Sequence, residues 1–290
     1  MDRVDYRILV ALHQDALQSV RSLAKAAKVS PPVAHERLRG LSQRGILLGY
    51  VAQIDPAIFG KLNLIVGFPP SHSREEARRA FEVPSVFMVA QKVDGGLTVG
   101  AWVNAPDDTV ERLVAVFGSK PSFQTRTPPK AVDELSPLDW RVLRACVEKP
   151  RHSTRELVAL TGLWPRTAVK RRDALIAAGI LYVAPNTGLL GGGGEIVYTM
   201  TVTGTAPIAK IRKHLGDCFV IRSFEDPPLH YLIGRADDLA DALKRTKALR
   251  GEFGVTNVEI TLNREVWVNG DMVRAAIDER IEFWERAKRV

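Results

Sequence analysis

An offset of 134 residues lays the second half of this 290-residue chain onto the first. Asp5 falls on Asp139, Leu9 on Leu143, Ser19 on Ser153, Leu23 on Leu157 and Pro31 on Pro165. Ala34 falls on Ala168, Arg37 on Arg171, Leu41 on Leu175 and Gly45–Ile46 on Gly179–Ile180. Farther along, Gly100 falls on Gly234. Matching caps, apolar positions and helix-ending glycines require two similar folded units. The polar, proline-containing stretch 127–137 is the expected boundary between them.

Each repeat opens with three short helices. In the first, residues 4–12 carry Val4, Ile8, Leu9 and Leu12 on one side, with Asp2 and Asp5 where the helix dipole favours acids. Ser19 is placed to cap the second helix, whose apolar side is Leu23, Ala26 and Ala27. Lys28–Val29–Ser30 breaks the chain. Ser30 is expected to cap the third helix, Pro31 suits its first turn, and Ala34, Leu38 and Leu41 form its inner stripe. After Gly45, residues 46–54 read as a strand or the start of a hairpin, which completes a winged helix-turn-helix unit. Residues 138–183 repeat it.

Between and after these units the period changes from helix to strand. Strands at 61–68, 85–93, 97–103 and 123–127 alternate with helices at 74–81 and up to Phe117, the latter capped by Asp107 or Asp108. The order is βαββαβ, a ferredoxin-like sandwich. A second follows, with strands at 195–202, 219–223, 229–233 and 255–262 and helices at 207–215 and 237–249. Four glycines at 191–194 read as a flexible wing or hinge, because a phosphate cradle needs a helix after them and a strand follows instead. Residues 271–290 form a last amphipathic helix with Val273, Ala276, Ile277, Ile281 and Trp284 on one side. The expected fold is α+β, a tandem repeat of winged helix-turn-helix plus ferredoxin-like sandwich. Its segments are 1–55, 56–130, 131–188, 189–266 and the helix 267–290.

A net charge of +8 favours a polyanionic partner without choosing one. No apolar run reaches the roughly 18 residues of a spanning helix. The N-terminus has acids where a signal peptide needs basic charge, so a soluble cytoplasmic protein without a membrane partner is expected. Two cysteines form neither a disulfide framework nor a four-ligand metal site, and the six histidines are scattered. His13 and His214 read as helix-surface residues. No metal, cofactor or catalytic constellation is expected, and the chain reads as a non-enzyme.

The second helix of a helix-turn-helix unit enters the major groove. In the first unit Ser30, Pro32, His35, Glu36 and Arg39 lie outward on or before that helix, with Arg21, Lys25 and Lys28 beside it for phosphates. In the second unit Trp164, Arg166 and Lys170 face outward, with Arg151, His152 and Arg155 at the supporting helix. Arg166 and Lys170 are its base-reading candidates, and on this side it is the more basic unit. Arg37 and Arg171 have two readings, a phosphate contact or an ion pair with Asp5 and Asp139 of their own units. Arg172, where the first unit has Leu38, buries its stem and lifts its charge to water, or the second core is displaced. In the second sandwich, Asp226–Pro227–Pro228 is a stiff turn open to a small-molecule pocket or an inter-domain contact. His230–Tyr231 lies in a strand whose open face needs covering.

These motifs resemble the leucine-responsive and asparagine-responsive (Lrp/AsnC) family of transcription regulators. The resemblance rests on Asp2-x-x-Asp5-x-x-Ile8–Leu9, Leu23–Ala24–Lys25 and Val29–Ser30–Pro31. It continues through Glu36–Arg37–Leu38-x-x-Leu41 and Gly45–Ile46-x-x-x-Tyr50. It implies sequence-specific binding of double-stranded DNA, an amino acid or similar small effector, and assembly through the sandwiches. With two domain pairs in one chain it implies an intramolecular pseudo-dimer, homo-oligomers of it and two non-identical reading heads. The family's Gly-x-x-Asp feature matches Gly234–Arg235–Ala236–Asp237, so Gly234 and Asp237, with Asp226, are the effector candidates. The first half lacks the acid. Decarboxylases of sirohaem intermediates share this architecture but have hairpins rich in His, Tyr and Arg. Here only Arg222, His230 and Tyr231 remain, which leaves that enzyme and a non-DNA protein scaffold as the alternatives.

Overall fold

The computed structural model describes residues 2–127, 130–187, 196–215 and 218–287. The glycine run at 191–194 lies outside them.

The chain opens with α1 (Arg3–Gln14), α2 (Val20–Ala27) and α3 (Pro31–Gln43). Asp2 caps α1 by accepting from the amides of Val4 and Asp5, and Ser19 caps α2 by accepting from that of Ser22. Ser30 sits at the N-cap of α3, but its hydroxyl makes no capping bond; Pro31 already removes one of the open donors. The three helices close around Ile8, Leu12, Leu23 and Leu41. Ala24 takes the buried place on α2 expected of Ala26, which is exposed. His13, expected on the surface, is buried at the end of α1, and desolvation pushes its imidazole down to about 4.

The strand after α3, β1 (Leu47–Ile54), forms no hairpin of its own. It pairs antiparallel with β6 (Leu181–Thr187), the strand after the helices of the second half. Those helices are α6 (Pro137–Glu148), α7 (Thr154–Thr161) and α8 (Pro165–Ala177). A two-stranded ribbon thus joins both helical units. Arg151 ties it further by donating to the Tyr50 hydroxyl at 2.5 Å, with its guanidinium 4.9 Å above that ring.

Each half continues into a sheet. The first contains β2 (Leu62–Phe68), β3 (Val86–Lys92), β4 (Leu97–Val103) and β5 (Phe123–Arg126), covered by α4 (Arg74–Arg79) and α5 (Pro106–Phe117). Ala105 occupies the N-cap of α5 and Pro106 starts it, which leaves Asp107 and Asp108 in the first turn rather than at the cap. The second contains β7 (Ile196–Gly204), β8 (Phe219–Glu225), β9 (Pro228–Ala236) and β10 (Val255–Thr261), with α9 (Ile208–Leu215) and α10 (Leu239–Arg250). The strand orders are β3-β4-β2-β5 and β10-β7-β9-β8, so the first strand of each half lies inside between the third and fourth, as in a ferredoxin-like sheet.

The sheets do not keep the 134-residue offset throughout. Leu64 and Tyr198, and likewise Val66 and Met200, occupy matching helix-facing positions of β2 and β7. Gly100 and Gly234 do not match. A side chain at Gly100 would meet Phe87 and Met88, while one at Gly234 would meet the buried ring of Tyr198 on the opposite, helix-covered face. Strand alternation makes their alignment a coincidence of number.

One strand lies outside the two expected βαββαβ patterns. After β10 the chain crosses to the first sheet as β11 (Asn263–Val268) and pairs antiparallel with β3. It therefore straddles the boundary drawn at 266/267. The last helix, α11 (Gly270–Ala287), packs its predicted stripe against the core around Trp140 and Leu143, and Arg144 holds Asp278 at 2.7 Å. Among the described residues no helix is long and apolar enough to cross a membrane.

Candidate nucleic-acid interface

Two sets of basic side chains separate on geometry. The first set is consumed within its own unit. Arg37 reaches from α3 to Asp2 at 2.5 Å and to Asp5 at 3.5 Å, and Arg44 reaches the same fully buried Asp5 at 2.7 Å. In the second unit Arg171 reaches from α8 to Asp139 and to the Ser136 hydroxyl, each at 2.8 Å. Burial works against the Asp139 carboxylate, but the bonds from Ser136 and Arg171 outweigh it and hold its pKa below the usual carboxylate value. Of the two readings of Arg37 and Arg171, the ion pair is the one formed. Arg171, expected among the DNA contacts, is turned onto its own unit. Arg172 lies only 15% exposed and meets Asp173 at 2.8 Å, so it covers its stem and keeps its charge at the rim.

The second set has no hydrogen-bond or ion-pair partner among the described residues. It comprises Arg21, Lys25, Lys28 and Arg39 in the first unit and Arg155, Arg166 and Lys170 in the second, all exposed. Ser30, Pro32 and His35 are exposed beside them, and Trp164 is 84% exposed at the N-cap of α8. Every side chain that alternation of the helices placed outward is therefore outward. The helices have this orientation because Ala34 and Leu41 on α3, and Ala168 and Leu175 on α8, are buried.

The turn before α3 carries a further signal. Lys28 closes α2 with φ 58° and ψ 46°, a left-handed conformation that side chains adopt at a cost. The second unit places Gly162 there, at φ 67°. The first unit thus accepts backbone strain at a position where it displays a cation.

Other expected residues are scattered. Arg151 is taken up by Tyr50 and by the Gln18 carbonyl, and His152 is buried with Nδ1 on the Lys149 carbonyl. Asp226 pairs with Arg126 of β5 at 2.8 Å, Asp237 pairs with Arg235 at 2.6 Å, and Gly234 backs onto Tyr198. Among the described residues these three effector candidates have separate partners. The two rings of His230–Tyr231 also part, as alternation requires: His230 meets Ser223 and the Ala206 carbonyl, and the Tyr231 hydroxyl accepts from Asn263.

Comparison with known proteins agrees with the helical geometry. The model of the AsnC-type helix-turn-helix domain matches residues 1–42, the span of α1 to α3. Over 60 residues the chain is 40% identical to the HTH-type transcriptional regulator AldR of Mycolicibacterium smegmatis, a match covering 21% of this chain and 35% of that protein. The HTH-type transcriptional regulator LrpA1 of Halobacterium salinarum is 29% identical over 133 residues, covering 42% of this chain and 94% of LrpA1. Among solved structures, the siroheme decarboxylase NirDL is similar with a TM-score of 0.48 at 12% identity, covering 98% of this chain and 100% of NirDL. The match to AldR spans about a third of that relative's length. Residues 1–42 are thus similar to an AsnC-type helix-turn-helix domain, and AldR and LrpA1, which the chain resembles, are HTH-type transcriptional regulators.

Proposed function

We propose that the chain is a sequence-specific, double-stranded DNA-binding transcription regulator with two reading heads in one polypeptide, responsive to a small effector. The observation that carries this reading is the match of residues 1–42 to the AsnC-type helix-turn-helix domain, on whose outer side Arg21, Lys25, Lys28 and Arg39 have no partner among the described residues. Unpaired Lys and Arg are what phosphates require, because an ion pair within the protein would have to break first.

A tandem duplication is supported by the ribbon. Tyr50 faces Pro185 and Val51 faces Ala184. At the 134-residue offset Ala184 is the counterpart of Tyr50 and Pro185 that of Val51. Each contact is therefore reciprocated, as in a two-fold interface between identical strands. The heads differ in their outward residues, His35 and Arg39 against Arg166 and Lys170, so an asymmetric site is expected. Further association of such pseudo-dimers into homo-oligomers belongs to the same reading.

Genome-wide binding of wild type and of the double variant Arg166→Ala, Lys170→Ala tests it. Loss of a subset of sites places the second head on DNA, and unchanged peaks assign recognition to the first head. Absence of enriched sites for the wild type contradicts the proposal.

A further inference from the structure

The sheets and their helices are layered, and the two outer layers differ in charge. Alternation along β2 and β7 sets the order of the layers. Leu64 and Val66 of β2 turn to the helices of the first half, and Tyr198 and Met200 of β7 to those of the second. Ile65 and Thr199, between them in sequence, line the space where the two sheets face each other. Helices α4 and α5 therefore lie on one outside, and α9 and α10 on the other. A single chain cannot bring these two layers together.

On α4 and α5, Glu75, Asp107, Asp108 and Glu111 are exposed, with no hydrogen-bond or ion-pair partner among the described residues. Arg78 and Arg112, also exposed, offset part of this charge. On α9 and α10 the corresponding set is basic: Arg212, Lys213, Lys244 and Lys247 are exposed and equally without partners among the described residues. The acids of that layer are engaged. Asp238 caps α10, Asp241 holds Arg245 at 2.8 Å and Glu252 holds Lys210 at 3.1 Å. The cations lie outward because Ile211 and Leu215 of α9 and Ala242 and Leu249 of α10 are buried in the core of the half. The same layer leaves Leu243 56% and Phe253 87% exposed. Phosphates would meet the cations but not these two apolar groups, whereas a protein surface covers both kinds.

We propose that the basic outer layer on α9 and α10 docks the acidic outer layer on α4 and α5 of a second copy of this chain. Such a contact joins unlike faces, so it repeats from copy to copy and either closes into a ring or extends as a filament. Complementary charge steers the encounter and fixes its register, and like faces repel. The inference rests on the homo-oligomer part of the proposed function and requires no DNA.

Sedimentation velocity of the full chain without DNA, over a concentration series at low and high salt, tests it. The wild type is expected to form species larger than one chain at low salt and to dissociate as salt screens the charges. The triple variant Lys213→Glu, Lys244→Glu, Lys247→Glu makes both outer layers acidic, and the double variant Asp108→Lys, Glu111→Lys makes both basic. Each alone should remain a single chain at concentrations about tenfold above the wild-type midpoint. Mixed in equal amounts they should associate again, because each supplies the face that the other has lost. Unchanged circular dichroism shows that each variant is folded. If the wild type associates and neither reversal alters this, or if the mixture of folded variants stays dissociated, the proposal is overturned and the homo-oligomer reading stands on another surface. A wild type that stays a single chain throughout contradicts both. If that single chain instead binds random duplex DNA, and the triple variant loses this binding, the basic layer belongs to nucleic acid and the proposal is likewise overturned.

Discussion

Arg171 Nη1 lies 2.8 Å from Asp139 Oδ1, as Arg37 Nη1 lies 2.5 Å from Asp2 Oδ2 in the other half. In both units an arginine of the third helix is anchored on the start of the first. Its neighbour in sequence, Lys170, has no such anchor among the described residues. Arg171→Ala should therefore lower stability by about 1–2 kcal/mol, the scale of a hydrogen bond to a charged partner. Lys170→Ala should leave stability unchanged and weaken DNA binding. Urea midpoints and a binding titration on the same two variants check the division; equal midpoints would refute the anchoring role.

Lys28 couples strain to charge. Lys28→Gly relieves a left-handed backbone and should stabilise the chain by about 1 kcal/mol. The same change removes a phosphate partner, so affinity for DNA should fall and the salt slope should flatten by about one unit. A gain in melting temperature with unchanged affinity would mean that the cation has no contact there.

How much was legible in the sequence follows from what kind of interaction fixes each element. The helical units were legible because their cores are local: Ser19, Leu23, Ala34 and Leu41 report the cap and the buried face within a few residues. The sandwiches were legible for the same reason, from period and turn signals. The strand β11 was not. Its pairing with β3 joins residues as distant as Lys92 and Asn263, and nothing near Asn263 encodes that partner. The ribbon was hidden likewise, since β1 carries the same alternation whether it folds back on itself or pairs with β6. Within the interface, outward cations could be read from helical spacing, whereas the choice between ion pair and phosphate for Arg171 required the position of Asp139.

Gly234, expected at an effector site, has a steric role of its own. An added Cβ there would come within 2.7 Å of the Tyr198 ring, itself fully buried. Gly234→Ala should cost about 1–3 kcal/mol through overpacking. Thermal melting without any ligand checks this. An unchanged melting temperature would return Gly234 to the effector site.

The buried His13 makes stability depend on pH. Its folded-state pKa of about 4 lies below the ordinary 6.5 because burial disfavours the charged ring. The unfolded chain therefore takes up a proton near pH 6.5 that the folded chain refuses. Stability should fall as pH drops from 6.5 towards 4 and gain nothing more from this group above 6.5. Between pH 7 and pH 5 the loss is about 2 kcal/mol, at roughly 1.4 kcal/mol per unit. Urea titrations at the two values should show a smaller loss for His13→Gln, and parallel losses would exclude His13 as the source.

The central claim is that unpaired cations on both helical units meet DNA phosphates. Its most direct measurement is fluorescence anisotropy of the full chain on its own upstream DNA across a salt series. Binding should weaken linearly on a log–log plot, with a slope of about −0.9 per phosphate contacted. Arg39→Ala and Lys170→Ala should each reduce that slope by about one. A flat salt dependence, or no affinity for any duplex at low salt, would contradict the account.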